Sequence, residues 1–175
     1  MFKKKNICVI GLGYVGLPLA ISLSKYYSVT GFDTNPQRVL DLKSGKDITK
    51  EIKKKVLKKS KINFTFNEKK LFHCNTFIVT VPTPVNQNNT PDLSNIISAT
   101  KIAAKNLNNN GLIIFESTVY PGCTEEILIP IIKKVSKKKI NKDFFVGYSP
   151  ERIDPGLSKY KLNNQVKIIS GSNSE

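Results

Sequence analysis

The stretch ICVIGLGYVGLPLAISLS, residues 7–24, decides how this chain folds. It carries no charge, and Lys3, Lys4 and Lys5 precede it, which is how a secretory signal opens. A signal also needs a cleavage site of small residues, and Ser22-Leu23-Ser24-Lys25 is a poor one. A membrane helix needs about 20 apolar residues in a row, and this run barely reaches that length while holding Gly11, Gly13, Gly16 and Pro18. A strand, a glycine turn and a helix account for all of these residues. Ile7 to Ile10 suits a strand buried on both faces. Gly11 makes the tight turn leaving it, Gly13 lets a pyrophosphate approach the backbone, and Gly16 lets the next helix pack close to the strand. Leu17, Leu19, Ala20, Ile21 and Leu23 give that helix its apolar faces. Pro18 is tolerated if the helix starts near Val15, because the first N–H groups of a helix have no internal acceptor.

Three glycines at this spacing carry little weight alone, so the next segment is decisive. SVTGFD, residues 28–33, is a second short strand ending in an acid. In dinucleotide folds a carboxylate about 20 residues beyond the first glycine accepts hydrogen bonds from the adenosine ribose. Asp33 sits at that distance, and its charge favours NAD over NADP. Arg38 points the other way, because an arginine can receive a 2′-phosphate. The alternative for Arg38 is a solvated helix residue. Asp33, nearer the expected ribose, decides for NAD.

The 175 residues are enough for one domain with a core, and 39% of them are hydrophobic, which excludes a disordered chain. The formal net charge is +15, which raises nucleic acid or an acidic membrane as a partner. Lys, Asn and Ile are abundant together, as A/T-rich coding favours, so the lysines read as solvated faces whose field attracts anionic ligands. Cys8, Cys74 and Cys123 are odd in number and lack any C-x-x-C pair, and His73 is the only histidine. That pattern suggests neither a disulfide framework nor a metal site, and it fits a reducing, cytoplasmic compartment.

Further along, Asn35 and Pro36 can start a helix that Gly45 ends. In the lysine-rich stretch 49–61, Ile48, Ile52 and Val56 are spaced to put one apolar helical stripe on the core. No aromatic residue interleaves with those lysines to stack on bases. KINFTF (61–66) and TFIVTVP (76–82) read as strands, the second running into VPTP at 81–84. Asp92 can cap a helix to about Asn108, with Ile96, Ile97, Ala99, Thr100, Ala103, Ala104 and Leu107 buried. Leu112 to Phe115 is a strand. Pro121 and Gly122 then turn the chain into a helix with Thr124 as its cap and Glu125 and Glu126 in its first turn. Phe144 to Gly147 and QVKIISG near the end complete the strands. The alternation predicts a single α/β domain: a Rossmann-type, doubly wound, mainly parallel sheet.

GLGYVGLPLA, the strand ending in Asp33 with Arg38 after it, VPTP, ESTVYPG and YSPERIDPG follow one another in order. Together they resemble the UDP-glucose/GDP-mannose dehydrogenase family over nearly the whole chain. The SPERI form is most similar to the branch acting on UDP-N-acetylhexosamines. The resemblance implies oxidation of a sugar C6 alcohol to a carboxylate in two NAD-dependent steps, through a thiohemiacetal and a thioester on a cysteine. It places Gly11, Gly13 and Gly16 on the pyrophosphate, with Tyr14 and Val15 offering N–H groups, and Asp33 and Arg38 at the adenosine end. Thr83 and Thr118 would line the nicotinamide half, with Thr118 also holding the catalytic water. Glu151 would sit beside the sugar, with Arg152 and Ile153 contacting substrate. Without the resemblance, Thr83 reads as a loop cap, Thr118 as a hydroxyl satisfying backbone and Glu151 as a partner for a surface lysine. The UDP-glucose branch has a second carboxylate four residues after the first, where this chain has Pro155; Asp154 stands one place early.

The resemblance also implies that the catalytic lysine and cysteine lie beyond residue 175. The chain is then an NAD-binding N-terminal half whose central helix, C-terminal domains and oligomer contacts are absent, and it is inactive alone. Of its own cysteines, only Cys123 stands where a helix N-terminus could lower a thiol pKa. A UDP-sugar is the expected substrate, with no nucleic acid, membrane or metal. The competing class is a basic nucleic-acid-binding module. A third reading, another NAD oxidoreductase sharing only the glycine turn, leaves VPTP, EST and SPER unexplained.

Overall fold

In the computed structural model, residues 5–151 and 167–173 are described. Among these residues seven strands form one sheet in the order β3-β2-β1-β4-β5-β6-β7: β1 (Asn6–Ile10), β2 (Ser28–Phe32), β3 (Asn63–Thr65), β4 (Thr76–Val79), β5 (Gly111–Phe115), β6 (Phe144–Tyr148) and β7 (Ser170–Gly171). The first six are parallel, and β7 joins β6 antiparallel. This is the doubly wound order, and its direction reverses between β1 and β4, the switch point where such sheets bind ligands at their carboxyl edge.

Helices cover both faces. On one face α1 (Gly16–Leu23), α2 (Pro36–Ser44) and α3 (Lys54–Lys59) pack Leu17, Ala20, Val39, Leu42 and Leu57 against Ile7, Val9, Val29 and Phe64. On the other, α4 (Ser94–Lys105) and α5 (Ile129–Ser136) pack Ile96, Ala103 and Ile132 against Phe77, Phe115 and Phe144. Burial of strands on both sides explains why β1, β2 and β4 read as unbroken apolar or β-branched runs.

The first helix begins where the proline requires. Val15 is its N-cap, so Pro18 falls in the first turn and removes a donor that had no acceptor. α2 follows its local signals closely. The Asn35 side chain accepts from Gln37 N at 2.9 Å and Arg38 N at 3.3 Å, and Gly45 closes the helix at φ +85°.

Three expectations fail. The lysine-rich stretch forms no long amphipathic helix: Ile48 is 58% and Val56 45% exposed, and only Leu57 anchors the six-residue α3. The cause is Asp47. Its carboxylate takes Thr49 N at 3.1 Å and Ile52 N at 3.0 Å, which holds residues 47–52 in turns and breaks the helical period before a stripe can form. Thr124 is not a cap either. Cys123 precedes the helix without a side-chain cap bond, and Thr124–Leu128 is a π turn leading into α5. Pro130 supplies the reason: it lacks the N–H that an α-helix would direct to the Glu126 carbonyl, so the ladder widens just before it. The last strand is also shorter than the QVKIISG reading. Among its described residues only Ser170 and Gly171 pair, and Gln165 and Val166 lie outside the described residues.

Candidate functional site

The carboxyl ends of β1, β2 and β4 surround a cleft of about 250 Å³, lined by Gly11, Leu12, Gly13, Asp33, Thr80, Pro82 and α4 residues including Asn95 and Ser98. The glycine turn forms its floor, and its three glycines do different work. Gly11 has φ +94°, a conformation that side-chain-bearing residues rarely adopt. A Cβ on Gly16 would lie 1.9 Å from the Gly11 carbonyl oxygen and 2.4 Å from Thr80 Oγ1, so only glycine lets α1 approach the turn. A Cβ on Gly13 would meet no protein atom within 4 Å. No described residue accepts from the N–H groups of Gly13, Tyr14, Val15 or Gly16. Open space over unclaimed N–H donors at a helix N-terminus suits an anionic pyrophosphate.

Both oxygens of Asp33 are engaged at the rim. Oδ2 accepts from Leu12 N and Oδ1 from Asn35 N, each at 2.9 Å. A carboxylate oxygen accepts more than one hydrogen bond, so the group can still receive ribose hydroxyls. Arg38 departs from the solvated alternative: its side chain is 5% exposed. Nε and Nη2 donate to the Leu12 carbonyl at 2.9 and 2.6 Å, and Nη1 meets Asp47 Oδ1 at 2.8 Å. Leu12 is therefore gripped by a carboxylate at its N–H and a guanidinium at its C=O. Burial would push the Asp47 carboxyl pKa up. The Ile52 N–H, the Thr49 hydroxyl, Arg38 and the Thr49 N–H outweigh that and hold it below the ordinary value.

Across the cleft, VPTP and EST come together. Thr83 Oγ1 donates to Thr118 O at 2.5 Å, and Ser117 Oγ to Val81 O at 2.6 Å. Thr118 is exposed at the end of β5, and Tyr14 and Val15 line the exposed side of the glycine turn. Ser149 N donates to Phe115 O at 2.9 Å, which brings the segment carrying half-buried Glu151 beside β5. Next to it, Glu116 pairs with Lys167. Arg152 and Ile153, like Asp154 and Pro155, lie outside the described residues.

Two residues that support the site escaped the sequence reading. Thr80 Oγ1 donates to Ile10 O at 3.1 Å and Gly11 O at 2.8 Å, pinning the turn to β4. Asp47 carried one legible signal, a lone acid two residues before Thr49 where an Asx turn forms.

The UDP-glucose/GDP-mannose dehydrogenase family, NAD binding domain, matches residues 5–175. The chain belongs to this family. It is 47% identical over 171 residues to UDP-N-acetyl-D-glucosamine 6-dehydrogenase of Salmonella typhi, covering 97% of this chain and 40% of the relative. It is 46% identical to the enzyme of the same name from Pseudomonas aeruginosa over 174 residues, covering 99% and 41%. The solved UDP-D-ManNAc dehydrogenase of Pyrococcus horikoshii superposes with a TM-score of 0.84 at 34% identity, over 95% of this chain and 41% of that one. The chain thus spans about two fifths of the length of these relatives. Its match is to the family's NAD-binding domain, so the cleft just described is that of an NAD-binding domain.

The thiols of this family member are enclosed. Cys8, Cys74 and Cys123 are each 0% exposed and unpaired by disulfide. Burial, with Glu125 and Glu126 adding to it against a Tyr120 hydrogen bond, raises the Cys123 pKa, the opposite of an activated nucleophile. Titration with an aromatic disulfide reagent should find no fast-reacting thiol in the native chain and three in denaturant. A fast native thiol would contradict this packing. Among the described residues no helix is long and apolar enough to cross a membrane, and no group of three His, Cys, Asp or Glu could hold a metal.

Proposed function

We propose that this chain is the NAD-binding part of a nucleotide-sugar 6-dehydrogenase that oxidises the C6 alcohol of a UDP-N-acetylhexosamine to the uronic acid, in the cytoplasm. The observation that carries the reading is the open glycine turn: unclaimed N–H groups from Gly13 to Gly16 beside the Asp33 carboxylate. The names of the relatives and the SPERI form support the substrate class. Two NAD molecules, bound one after the other, would each supply a one-hydride acceptor, the first for alcohol to aldehyde and the second for aldehyde to the acid level, with one water consumed overall.

The residues of this chain bind and orient. Gly11, Gly13, Tyr14, Val15 and Gly16 hold the pyrophosphate, Asp33 takes the adenosine ribose, and Arg38 shapes that end. Thr83 and Thr118 border the nicotinamide half, where the Thr118 hydroxyl positions water. Glu151 faces the sugar, with Arg152 and Ile153 as its substrate-side neighbours. None of the three thiols here borders the cleft, so none of them takes the nucleophile's role in this reading.

Calorimetric titration of the chain with NAD and, in parallel, with a single-stranded oligonucleotide tests the reading at low and high salt. NAD should bind with an affinity that changes little with salt. A basic nucleic-acid module would lose affinity steeply as counterions are restored. Salt-sensitive oligonucleotide binding with no heat from NAD would overturn the proposal.

A further inference from the structure

Asp47 lies outside the cleft, in the turn after α2, yet its partner reaches the glycine turn. We propose that Asp47 sets the cofactor preference of this domain by holding the Arg38 guanidinium on the Leu12 carbonyl and so withholding it from a 2′-phosphate. The inference rests on the cleft being the NAD site.

The geometry makes the case. The Asp33 carboxylate, which marks the ribose position, and the Arg38 guanidinium bracket a single residue, Leu12, at 2.9 Å and 2.6 Å. Arg38 is therefore close enough to the ribose end for a side-chain rotation to present it to a phosphate there, which is how NADP-binding relatives of this fold use an arginine. Three interactions prevent that rotation: two hydrogen bonds to Leu12 O and the ion pair with Asp47. The pair is enclosed, with side chains 5% and 1% exposed, so solvent weakens it little. Asp47 is itself fixed by Thr49 N, Thr49 Oγ1 and Ile52 N. Discrimination then has two parts. Asp33 repels a 2′-phosphate, and Asp47 keeps the nearest cation turned away from it.

The test compares NAD and NADP affinities of the chain by calorimetry, with thermal unfolding as a check on folding. Asp47→Asn keeps oxygen for the turn but removes the charge that holds Arg38. The ratio of NADP to NAD affinity should rise about tenfold, the worth of one charge-assisted hydrogen bond. Arg38→Met in the Asp47→Asn background should return the ratio to that of the wild type. If Asp47→Asn does not fold, Thr49→Val, which removes one donor to Asp47 Oδ1, should shift the ratio the same way by less. An unchanged ratio in the folded variant, or a shift that survives Arg38→Met, would show a purely structural pair and overturn the proposal. A wild-type chain that binds neither dinucleotide would overturn the cofactor reading and this inference with it.

Discussion

Gly16→Ala should lower the melting temperature by about 10 °C, while Gly13→Ala should leave it within a few degrees of wild type. Two glycines of one turn, three residues apart, are thus expected to respond in opposite ways. At Gly16 the added methyl meets the Gly11 carbonyl oxygen at 1.9 Å and Thr80 Oγ1 at 2.4 Å. The oxygen belongs to backbone, and Thr80 Oγ1 is hydrogen-bonded to both Ile10 O and Gly11 O. Relief requires α1 to move away from β1 and β4, which opens the packing of Leu17 and Ala20, both 0% exposed. Overpacking of this kind costs about 3 kcal/mol, at the upper end of the usual range. At Gly13 the methyl meets nothing within 4 Å, and the backbone is not in the left-handed region. Alanine there also restricts the unfolded chain, which stabilises by about 0.4–1 kcal/mol. Its methyl occupies the space proposed for the pyrophosphate, so NAD affinity should fall about tenfold or more as N–H contacts to the anion are lost. Differential scanning calorimetry and NAD titration of both variants check the pair. A Gly16→Ala chain as stable as wild type would refute the close approach of helix to turn. Undiminished NAD affinity in Gly13→Ala would remove the pyrophosphate from this turn.

What could be read from the sequence was what short-range chemistry controls. The α2 helix appeared with its ends because Asn35, Pro36 and Gly45 act on backbone groups within a few residues. The parallel strands were legible because burial on both faces leaves unbroken apolar runs, and the place of the cleft was legible because the sheet's carboxyl edge collects the segments after β1, β2 and β4. The failures involve information that is not local. The lysine-rich stretch has the spacing of an amphipathic helix, but Asp47 claims its backbone N–H groups for a turn. Spacing alone does not show which donor a carboxylate will take. Arg38 has the same lesson in reverse. Its partners, Leu12 and Asp47, stand on opposite sides of it in sequence, so a residue that spacing left open between a phosphate ligand and a solvated helix position is part of the turn's support. The π turn before α5 depends on a hydrogen bond that Pro130 cannot donate, a deficit that becomes visible only once the helix register is known.

Asp33→Ala should weaken NAD about 100-fold, the loss of two hydrogen bonds to a charged acceptor at roughly 1.5 kcal/mol each. The same change should lower stability by about 1–2 kcal/mol, because Leu12 N and Asn35 N lose their acceptor. Asparagine is not a neutral replacement. Its amide has one oxygen, and both positions of the carboxylate face backbone donors, so the NH2 group must oppose either Leu12 N–H or Asn35 N–H. Asp33→Asn should therefore recover part of the stability and little of the NAD affinity. NADP should lose less than NAD in either variant, because the negative charge that opposes its 2′-phosphate is gone. That differential separates ligand recognition from scaffold damage: a misfolded turn would weaken both dinucleotides alike, whereas a ribose-binding carboxylate affects chiefly the one with a free 2′-hydroxyl. Paired titrations of wild type and both variants with NAD and NADP, alongside their melting temperatures, measure each quantity. Equal losses for the two cofactors would assign Asp33 to the scaffold and leave the ribose without its acceptor.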